Sequence, residues 1–362
     1  MKALVLAGGK GTRLRPITHT SAKQLVPVAN KPILFYGLEA IREAGIKDVG
    51  IIVAGPVDRE GTTAAEIFAA VGNGSRFGLR VEYIAQEQPL GLAHAVKTAK
   101  AYLKDTPFVM FLGDNLIKDG IKHFVEEFEQ QKPDAQILLA AVPHPEEFGV
   151  AELAGERVVR LEEKPKKPRS NLALVGVYMF TPCVFEAVDA IRPSARGELE
   201  ITDAIQQLID VGKNVRSHVI TGWWKDTGKL EVLLEANRIV LTGVESQVQG
   251  KVEKDCQIEG TIQVGEGTVI RGSRLRGPLV IGKNCRITES YVGPFSAIAD
   301  GCVLERAEIE HSIILERSSL IGLSLRIESS LIGRDAVVTT SPARPRANRL
   351  MIGDSSRVEF GA

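Results

Sequence analysis

The first two thirds of the chain alternate short apolar runs with longer stretches in which apolar residues recur at helical spacing. Apolar runs of about four to eight residues predict buried strands, and their alternation with helices is typical of an α/β sheet. Residues 31–44 give the clearest helix, with Pro32 near its start and Gly45 after its end. The pattern predicts a three-layer, Rossmann-like α/β fold around a mostly parallel mixed sheet. The predicted strands are residues 3–6, 49–53, 80–84, 108–112, 135–142, 158–162, 173–180 and 215–220.

The pattern changes abruptly after Leu241. Helical spacing ends there, and an aliphatic residue followed by glycine or glutamate recurs roughly every six positions, as at Val264 and Ile281. A hexapeptide repeat predicts a left-handed parallel β-helix, with a β-sandwich of short strands as the alternative. We therefore predict an α/β domain over residues 1–241 and a β-helix domain of about five coils over residues 242–362. The tail from Ser341 is expected to cap the open end of the coils.

Composition and charge narrow the classes of function. The 362 residues carry 45 basic and 45 acidic side chains, which argues against a nucleic-acid binder with a basic face. No apolar run reaches the length of a membrane span, and the apolar run near the N-terminus is too short for a signal peptide. The four cysteines are widely spaced, as expected of reduced structural thiols. We therefore expect a cytoplasmic protein whose partners are neither nucleic acid nor membrane.

A glycine-rich segment, GGKGTRL, follows the first predicted strand. It lacks the third glycine of the dinucleotide-binding motif and does not match the P-loop. Gly8, Gly9 and Gly11 would let backbone N–H groups approach a phosphate closely, and Arg13 could hold phosphate oxygens with two parallel hydrogen bonds. Lys23 supplies a second cation ten residues later. The segment predicts a phosphate-binding turn, although a plain turn after a strand is the alternative.

The same segment begins an ordered series of motifs that spans nearly the whole chain. The series resembles the signature of the sugar-phosphate nucleotidyltransferases, and the repeats make it similar to their long form. The resemblance implies transfer of a nucleotidyl group from a nucleoside triphosphate to a sugar 1-phosphate, with release of pyrophosphate. In chain order, the motifs are LAGGKGTRL, AKQLVP, NKP, QEQPLGL, LGDN, FGVAE, EEKP, RGELEITD and WKDTG.

The resemblance implies a role for each matching residue. Arg13, Lys23 and Lys164 would be catalytic, because they would neutralise or hold the reacting phosphates. Asp114 and Asp226 would bind Mg²⁺, a hard cation that prefers carboxylate and phosphate oxygens. The residues implied for the nucleotide are Leu6, Gly8, Gly9, Gly11, Thr12, Gln86 and Gly91. Those implied for the sugar phosphate are Gly149, Glu163, Lys164, Asn171 and Leu174, with Glu198 as a further candidate.

Several alternatives bear on the substrates and on the coils. AKQLVP favours dTTP and glucose 1-phosphate, with UTP or another sugar 1-phosphate as the alternative; Phe148 stands where the short enzymes often have tyrosine. An acyltransferase activity would need a histidine base in the coils, where only His311 is present and a structural role competes. A non-catalytic assembly subunit would have no need of the retained charged residues. We also expect a homo-oligomer, because β-helix prisms expose flat faces that can pair with copies of themselves.

Overall fold

The computed structural model describes residues 1–9, 11–155, 157–340 and 348–361. They form two compact units: Met1–Lys10, Thr20–Leu25 and Ile33–Asp226 make the first, and Gly11–His19, Val26–Pro32 and Thr227–Ala362 make the second. Because these units describe packing rather than independent folding, the predicted boundary between residues 241 and 242 stays a prediction. The tail predicted as a cap begins at Ser341: residues 341–347 and 362 lie outside the described residues, residues 348–361 form no helix or strand, and the capping role stays a prediction.

A nine-stranded mixed sheet forms the centre of the first unit. The pairings make Arg157–Glu163 and Leu172–Phe180 run against the other strands of the sheet, so the mostly parallel sheet that the sequence predicts is confirmed. From edge to edge, the strands are Arg80–Ala85, Asp48–Val53, Lys2–Leu6, Phe108–Leu112, Leu172–Phe180, Ala135–Ala141, Val215–Val219, Arg157–Glu163 and Gly149–Ala154.

All the strands predicted from apolar runs are present, and their ends differ from the prediction by at most one residue. The edge strand Gly149–Ala154 escapes the pattern, because its glycine, alanines and glutamate have low β-propensity. A short antiparallel ladder joins Asn115–Ile117 to Trp224–Asp226 and was likewise not predicted. Both unpredicted elements carry motif residues.

Helices cover both faces of the sheet and complete the three layers. Neighbouring residues of a strand point to opposite faces, so Val5 lies in one apolar core and Leu4 in the other. The α-helices of this unit are Ile33–Glu43, Thr63–Val71, Leu92–Thr98, Lys100–Leu103, Lys122–Gln131, Val184–Ala190 and Ile201–Asp210. Its 3₁₀ helices are Lys23–Leu25, Ser75–Phe77 and Pro145–Glu147. No helix within the described residues combines the length and apolar content needed to cross a membrane.

The second unit contains a left-handed parallel β-helix built from three stacked parallel sheets, as the repeats predict. The first sheet contains Gln247–Val248, Ile262–Val264, Leu279–Ile281, Ala297–Ile298, Ile313–Ile314 and Leu331–Ile332. The second contains Lys251–Val252, Val269–Arg271, Arg286–Thr288, Val303–Glu305, Ser319–Ile321 and Val337–Thr339. The third contains Gln257–Glu259, Arg274–Arg276, Tyr291–Val292, Glu308–Glu310 and Ile327–Glu328.

The hexapeptide aliphatic residues point into the β-helix. Ile270, Ile287 and Leu304 lie in register on successive coils and are fully buried. Cys285 and Cys302 are also buried in this core, and all four cysteines of the chain are free thiols. The charged positions face outward, as the repeat predicts.

A helix and two N-terminal segments also belong to the second unit. The helix Leu230–Thr242 carries Asn237, which is fully buried; its Oδ1 accepts a hydrogen bond from the Ala29 N–H at 2.8 Å, and its Nδ2 donates to the Phe295 carbonyl at 2.9 Å. Asn30 Nδ2 donates to the Ile298 carbonyl at 2.6 Å. These amides join the helix and the segment 26–32 to the coils. The remaining elements are the 3₁₀ helices Thr12–Leu14 and Ile17–His19 and the paired strands Pro27–Val28 and Lys31–Pro32.

Candidate active site

Several of the predicted site residues follow the carboxyl ends of parallel strands in the first unit. Gly8 comes after Lys2–Leu6, Gln86 directly after Arg80–Ala85, and Asp114 after Phe108–Leu112. Leu6 pairs with Leu112 in the sheet, so the ends of these two strands are adjacent. The carboxyl edge of an open α/β sheet is where such folds bind their ligands.

The glycine turn is tight at Gly9, where a side chain would displace Lys23, and has ordinary contacts at Gly8. A Cβ at Gly8 would stand 3.4 Å from the Ala54 nitrogen, and a Cβ at Gly9 would stand 2.8 Å from Lys23 Cε. Backbone N–H groups without neighbouring side chains can approach an anionic ligand closely. The turn therefore has the space and the chemistry that a phosphate-binding loop requires.

A buried ion pair lies beside this turn. Lys23 Nζ contacts Asp114 Oδ2, and the two side chains are 17% and 10% exposed. Burial raises the pKa of the Asp114 carboxyl, but the charge and hydrogen bond of Lys23 outweigh burial and hold the pKa below its ordinary value. Asp114 is therefore an anion at neutral pH. The structure also places Lys23 against a carboxylate, whereas the sequence predicts it only as a phosphate ligand.

The short ladder brings Asp226 to the same place. Asp226 pairs with Asn115 across the two strands, directly after Asp114 in the chain. Asn115 Nδ2 donates to Asp114 Oδ1 at 3.2 Å, and Trp224 Nε1 donates to Asn115 Oδ1. The two aspartates predicted as metal ligands, 112 positions apart in the sequence, thus flank one asparagine.

A second group of predicted residues meets around Gly149. Gly149 and Glu163 pair across neighbouring strands. A Cβ at Gly149 would stand 2.7 Å from Leu174 Cδ1, 2.9 Å from Thr202 Oγ1 and 3.1 Å from Glu163 Oε2. These close contacts exclude a side chain at Gly149 and bring an apolar group together with two oxygen atoms, a combination that suits contact with a sugar ring and its hydroxyl groups.

Glu163 is held by residues that were not predicted as site residues. Thr202 Oγ1 donates to Glu163 Oε2 at 2.6 Å, and Arg196 Nη2 lies 3.5 Å from Glu163 Oε1. Arg196 also binds Glu200 and lies 3.3 Å from Glu198. Burial raises the pKa of the Glu163 carboxyl; Glu200 adds to the rise, while the Thr202 hydrogen bond and the nearby cations oppose it. Arg196 and Thr202 both lie in the motif RGELEITD, so this motif is the sequence signal from which they could have been predicted.

Lys164 and Asn171 are less constrained. Lys164 has a positive φ of 44°, and its N–H donates to the Phe148 carbonyl at 2.9 Å, so the backbone turns sharply directly after Glu163. Its side chain is exposed, as is that of Asn171. The structure thus brings Gly149, Glu163 and Leu174 together in direct contact but leaves these two side chains open to solvent.

Gln86 and Gly91 lie together at the start of a helix. Gln86 Nε2 is 3.3 Å from the Gly91 carbonyl and 2.9 Å from His94 Nδ1. Gly91 has a φ of 105°, and a Cβ there would stand 2.4 Å from the Leu199 carbonyl oxygen. Gly91 is therefore required by close backbone packing as well as by any ligand.

Gly11, Thr12 and Arg13 belong to the second unit. Gly11 has a φ of 61° and its carbonyl accepts a hydrogen bond from Thr18 Oγ1 at 2.6 Å. Thr12 and Arg13 begin a short 3₁₀ helix and are exposed. Their exposed side chains are available to a ligand.

Two further residues bear on the alternatives. Phe148 packs edge-on against Trp224, with ring centroids 5.3 Å apart, so an aromatic contact stands where the family often has a tyrosine hydroxyl. His311 Nε2 is buried without a hydrogen-bond partner in the described part of the chain, and its ring lies 6.1 Å from that of Phe295. A buried Nε2 suits packing better than acyl transfer.

Comparison with known proteins shows which proteins this chain resembles in sequence and fold. The family model described as nucleotidyl transferase matches residues 2–243. The glucose-1-phosphate thymidylyltransferases of Streptomyces griseus and Streptomyces antibioticus are 57% and 56% identical, over 100% and 99% of this chain and the same shares of their own lengths. The crystal structure of a glucose-1-phosphate thymidylyltransferase from Bacillus anthracis, titled as putative, is 34% identical with a TM-score of 0.62, and the match covers 68% of this chain and 97% of that one.

Proposed function

The chain belongs to the nucleotidyl transferase family, and we propose that it transfers a thymidylyl group from dTTP to glucose 1-phosphate, giving dTDP-glucose and pyrophosphate. The observation that carries the proposal is the similarity to two thymidylyltransferases along essentially their whole length. In this proposal, the glycine turn contacts the phosphates, the aspartate pair holds the metal ion, and the residues around Gly149 contact the sugar.

The reaction places most of its demand on positioning. A phosphate oxygen of glucose 1-phosphate attacks the α-phosphorus of dTTP in line, a new P–O bond forms, and the bond to the β-phosphate oxygen breaks. Because the attacking oxygen is already anionic, no general base is required. The protein must instead hold two anions together and neutralise their charge.

The glycine turn and two cations serve the triphosphate in this proposal. N–H groups at Gly8, Gly9 and Gly11 donate to phosphate oxygens, and Arg13 and Lys23 neutralise the transferred and leaving phosphates. Lys23 can do so by exchanging its contact with Asp114 for one with phosphate. Leu6 and Thr12 flank the turn, and Gln86 and Gly91 bind the pyrimidine, because an amide matches an edge with both donors and acceptors.

Asp114 and Asp226 fit a divalent cation. Two carboxylates beside a single asparagine offer the oxygen ligands that Mg²⁺ prefers, and the Lys23 ammonium already occupies one of them as a cation. Nucleotidyltransferases generally use a divalent metal ion, and we propose Mg²⁺ here. When bound, it would neutralise charge on the phosphate oxygens. Asn115 and Trp224 orient the carboxylate of Asp114.

The group of residues around Gly149 binds the sugar phosphate in this proposal. Glu163 accepts hydrogen bonds from hexose hydroxyl groups while Thr202 fixes its orientation, and Leu174 packs against the ring. Lys164 holds the incoming phosphate, and Asn171 provides a further polar contact at the exposed side. We place this activity in the cytoplasm, since all four cysteines are free thiols, and in a homo-oligomer formed through the β-helix.

A substrate grid tests the proposal. The purified chain is assayed with dTTP, UTP and other nucleoside triphosphates against glucose 1-phosphate and other sugar 1-phosphates, with pyrophosphate release as the signal. We expect the highest kcat/KM for dTTP with glucose 1-phosphate. A kcat/KM for UTP more than about tenfold above that for dTTP, or about 1.4 kcal/mol in transition-state binding, would contradict the thymidylyl assignment.

A further inference from the structure

A cavity of about 260 Å³ opens beside the starts of two neighbouring strands, Arg157–Glu163 and Val215–Val219. Val158, Ile209 and Val215 form its apolar wall, and Arg157, Lys213 and Asn214 supply polar groups. Arg157 and Glu163 lie at opposite ends of the same strand, roughly 20 Å apart at the usual rise per residue. The cavity is therefore separate from the residues around Gly149 and Glu163 that are proposed to bind the sugar phosphate.

Two cations, Arg157 and Lys213, line this cavity, and Arg216 lies beside it on the neighbouring strand. Arg157 pairs directly with Arg216 across the two strands, where like charges repel. Arg157, Lys213 and Arg216 form no ion pair with any described residue. Because Arg157 and Arg216 face each other without an ion-pair partner among the described residues, a bound anion would reduce the repulsion between them.

Two carboxylates on neighbouring elements, one of them bonded to the cavity-lining Asn214, already have hydrogen-bond partners. Asp134 Oδ2 accepts a hydrogen bond from the Asn214 N–H at 2.8 Å, and Glu127 Oε2 lies 3.2 Å from His218 Nδ1. Glu127 also accepts a hydrogen bond from the buried Gln136. Neither carboxylate forms an ion pair with Arg157, Lys213 or Arg216 within the described part of the chain.

From this geometry we propose that the cavity is a second anion site, which takes a small phosphate-class anion such as pyrophosphate. The volume is below the roughly 300–1,000 Å³ of a typical organic-ligand pocket, which suits an inorganic ion better than a whole nucleotide sugar. A guanidinium matches two phosphate oxygens at once. No aromatic side chain lines the cavity, so it offers no surface on which a base could stack.

Calorimetric titration of the full chain with sodium pyrophosphate, in a buffer containing chelator and no divalent cation, tests this site. The double variant Arg157→Gln, Lys213→Gln should bind pyrophosphate at least tenfold more weakly than the parent. Arg160→Gln is the matched control, because Arg160 lies on the same strand but is already paired with Glu162. Unchanged binding in the double variant would overturn the proposal.

Hydrogen–deuterium exchange locates the bound ion in the same buffer. Pyrophosphate should protect amides near residues 157–158 and 212–216, whereas protection confined to residues 7–9 and 113–115 would overturn the proposal. The same exchange measurement with dTDP should protect residues 157–158 and 212–216 no more strongly than pyrophosphate does at equal concentration. Stronger protection of these residues by dTDP would contradict the assignment to a small anion.

Charge reversal provides an independent measurement. Arg157→Glu would face Arg216 with the opposite charge, so its Tm without anion should exceed that of Arg157→Gln, while pyrophosphate binding should be lost. A Tm for Arg157→Glu below that of Arg157→Gln would overturn the premise that Arg157 and Arg216 repel each other. If Arg157→Glu bound pyrophosphate as tightly as the parent, the proposal that this cavity binds the anion would be wrong.

Discussion

The strand-end site and the β-helix coils use polar groups in opposite ways. At the strand ends, a lysine and an aspartate are buried against each other, and Asp114 is oriented further by Asn115. In the coils, the buried polar side chains are mainly hydroxyls, and several of them bond to the backbone: Thr268 Oγ1 donates to the Gly282 carbonyl at 2.7 Å and accepts from the Cys285 N–H at 2.9 Å. The strand-end site thus buries an ion pair, whereas the described coils bury mainly neutral hydroxyl groups.

The difference indicates where each region can tolerate change. In the coils, each aliphatic residue packs on an equivalent residue one coil away, so the same contact repeats and stabilises the unit. At the strand ends, each contact occurs once. Real proteins depart from regular patterns mainly at functional sites. We therefore expect substitutions at the strand ends to change activity and those in the coil core to change stability.

Asp114→Asn should produce the largest effect on activity. The amide keeps the shape but removes the charge that holds Lys23 and would hold the metal, so we expect kcat/KM to fall about a thousandfold, near 4 kcal/mol. Steady-state kinetics at saturating Mg²⁺ measures the loss.

Asp119→Asn is the control for that substitution, because Asp119 is 73% exposed and lies on a turn. It should keep parental kinetics. Full activity in Asp114→Asn would contradict the proposal that the Asp114 carboxylate is needed for the reaction.

The sequence predicted the coils better than it predicted the site's contacts. Apolar runs and hexad spacing depend on near neighbours, and they located the sheet strands to within one residue. The ladder that joins Asp114 and Asp226 depends on a pairing between distant segments, which no local pattern reports. Arg196 and Thr202 likewise reach Glu163 from 33 and 39 positions away. Motif resemblance named the candidate site residues, and the fold shows which of them lie in contact and with which partners.

Ile287→Ala should give the second largest effect, and it should fall on stability. Ile287 is fully buried between Ile270 and Leu304, and truncating such a side chain costs about 2 to 5 kcal/mol. Denaturant unfolding should report this loss, while kcat/KM at a temperature well below Tm stays at the parental value. Arg286→Ala, at the neighbouring exposed position, should change stability by no more than about 0.5 kcal/mol. Lost activity in folded Ile287→Ala would contradict the division of roles.

Gly149→Ala should give a moderate and selective effect. The added methyl would meet Leu174, Thr202 and Glu163, so we expect KM for glucose 1-phosphate to rise about tenfold, or 1.4 kcal/mol, with KM for dTTP unchanged. Gly243→Ala is the control, because a Cβ there would stand 3.7 Å from its nearest neighbour, the Val240 carbonyl oxygen. An equal rise in the KM values for glucose 1-phosphate and dTTP would contradict the proposal that the residues around Gly149 bind the sugar phosphate.

Glu163→Gln should give the smallest effect on stability, and the size of this effect should depend on pH. Burial raises the pKa of Glu163 above its ordinary value of 4.5, so the folded chain favours the protonated form. Stability from this group is present below the ordinary pKa and is lost as pH rises through the raised one. Glu163→Gln keeps an acceptor for Thr202 without the charge. Its Tm relative to the parent should therefore increase between about pH 4 and pH 7, and a flat difference would contradict the pKa direction.

The most direct measurement is hydrogen–deuterium exchange of the full chain with and without the product, dTDP-glucose. The account predicts protection of residues 7–9, 86–91 and 113–115 and of the strand Gly149–Ala154, with the amides of the coil strands from Ile262–Val264 to Ser319–Ile321 unchanged. Protection confined to the coils would contradict the claim that the strand ends bind the substrates.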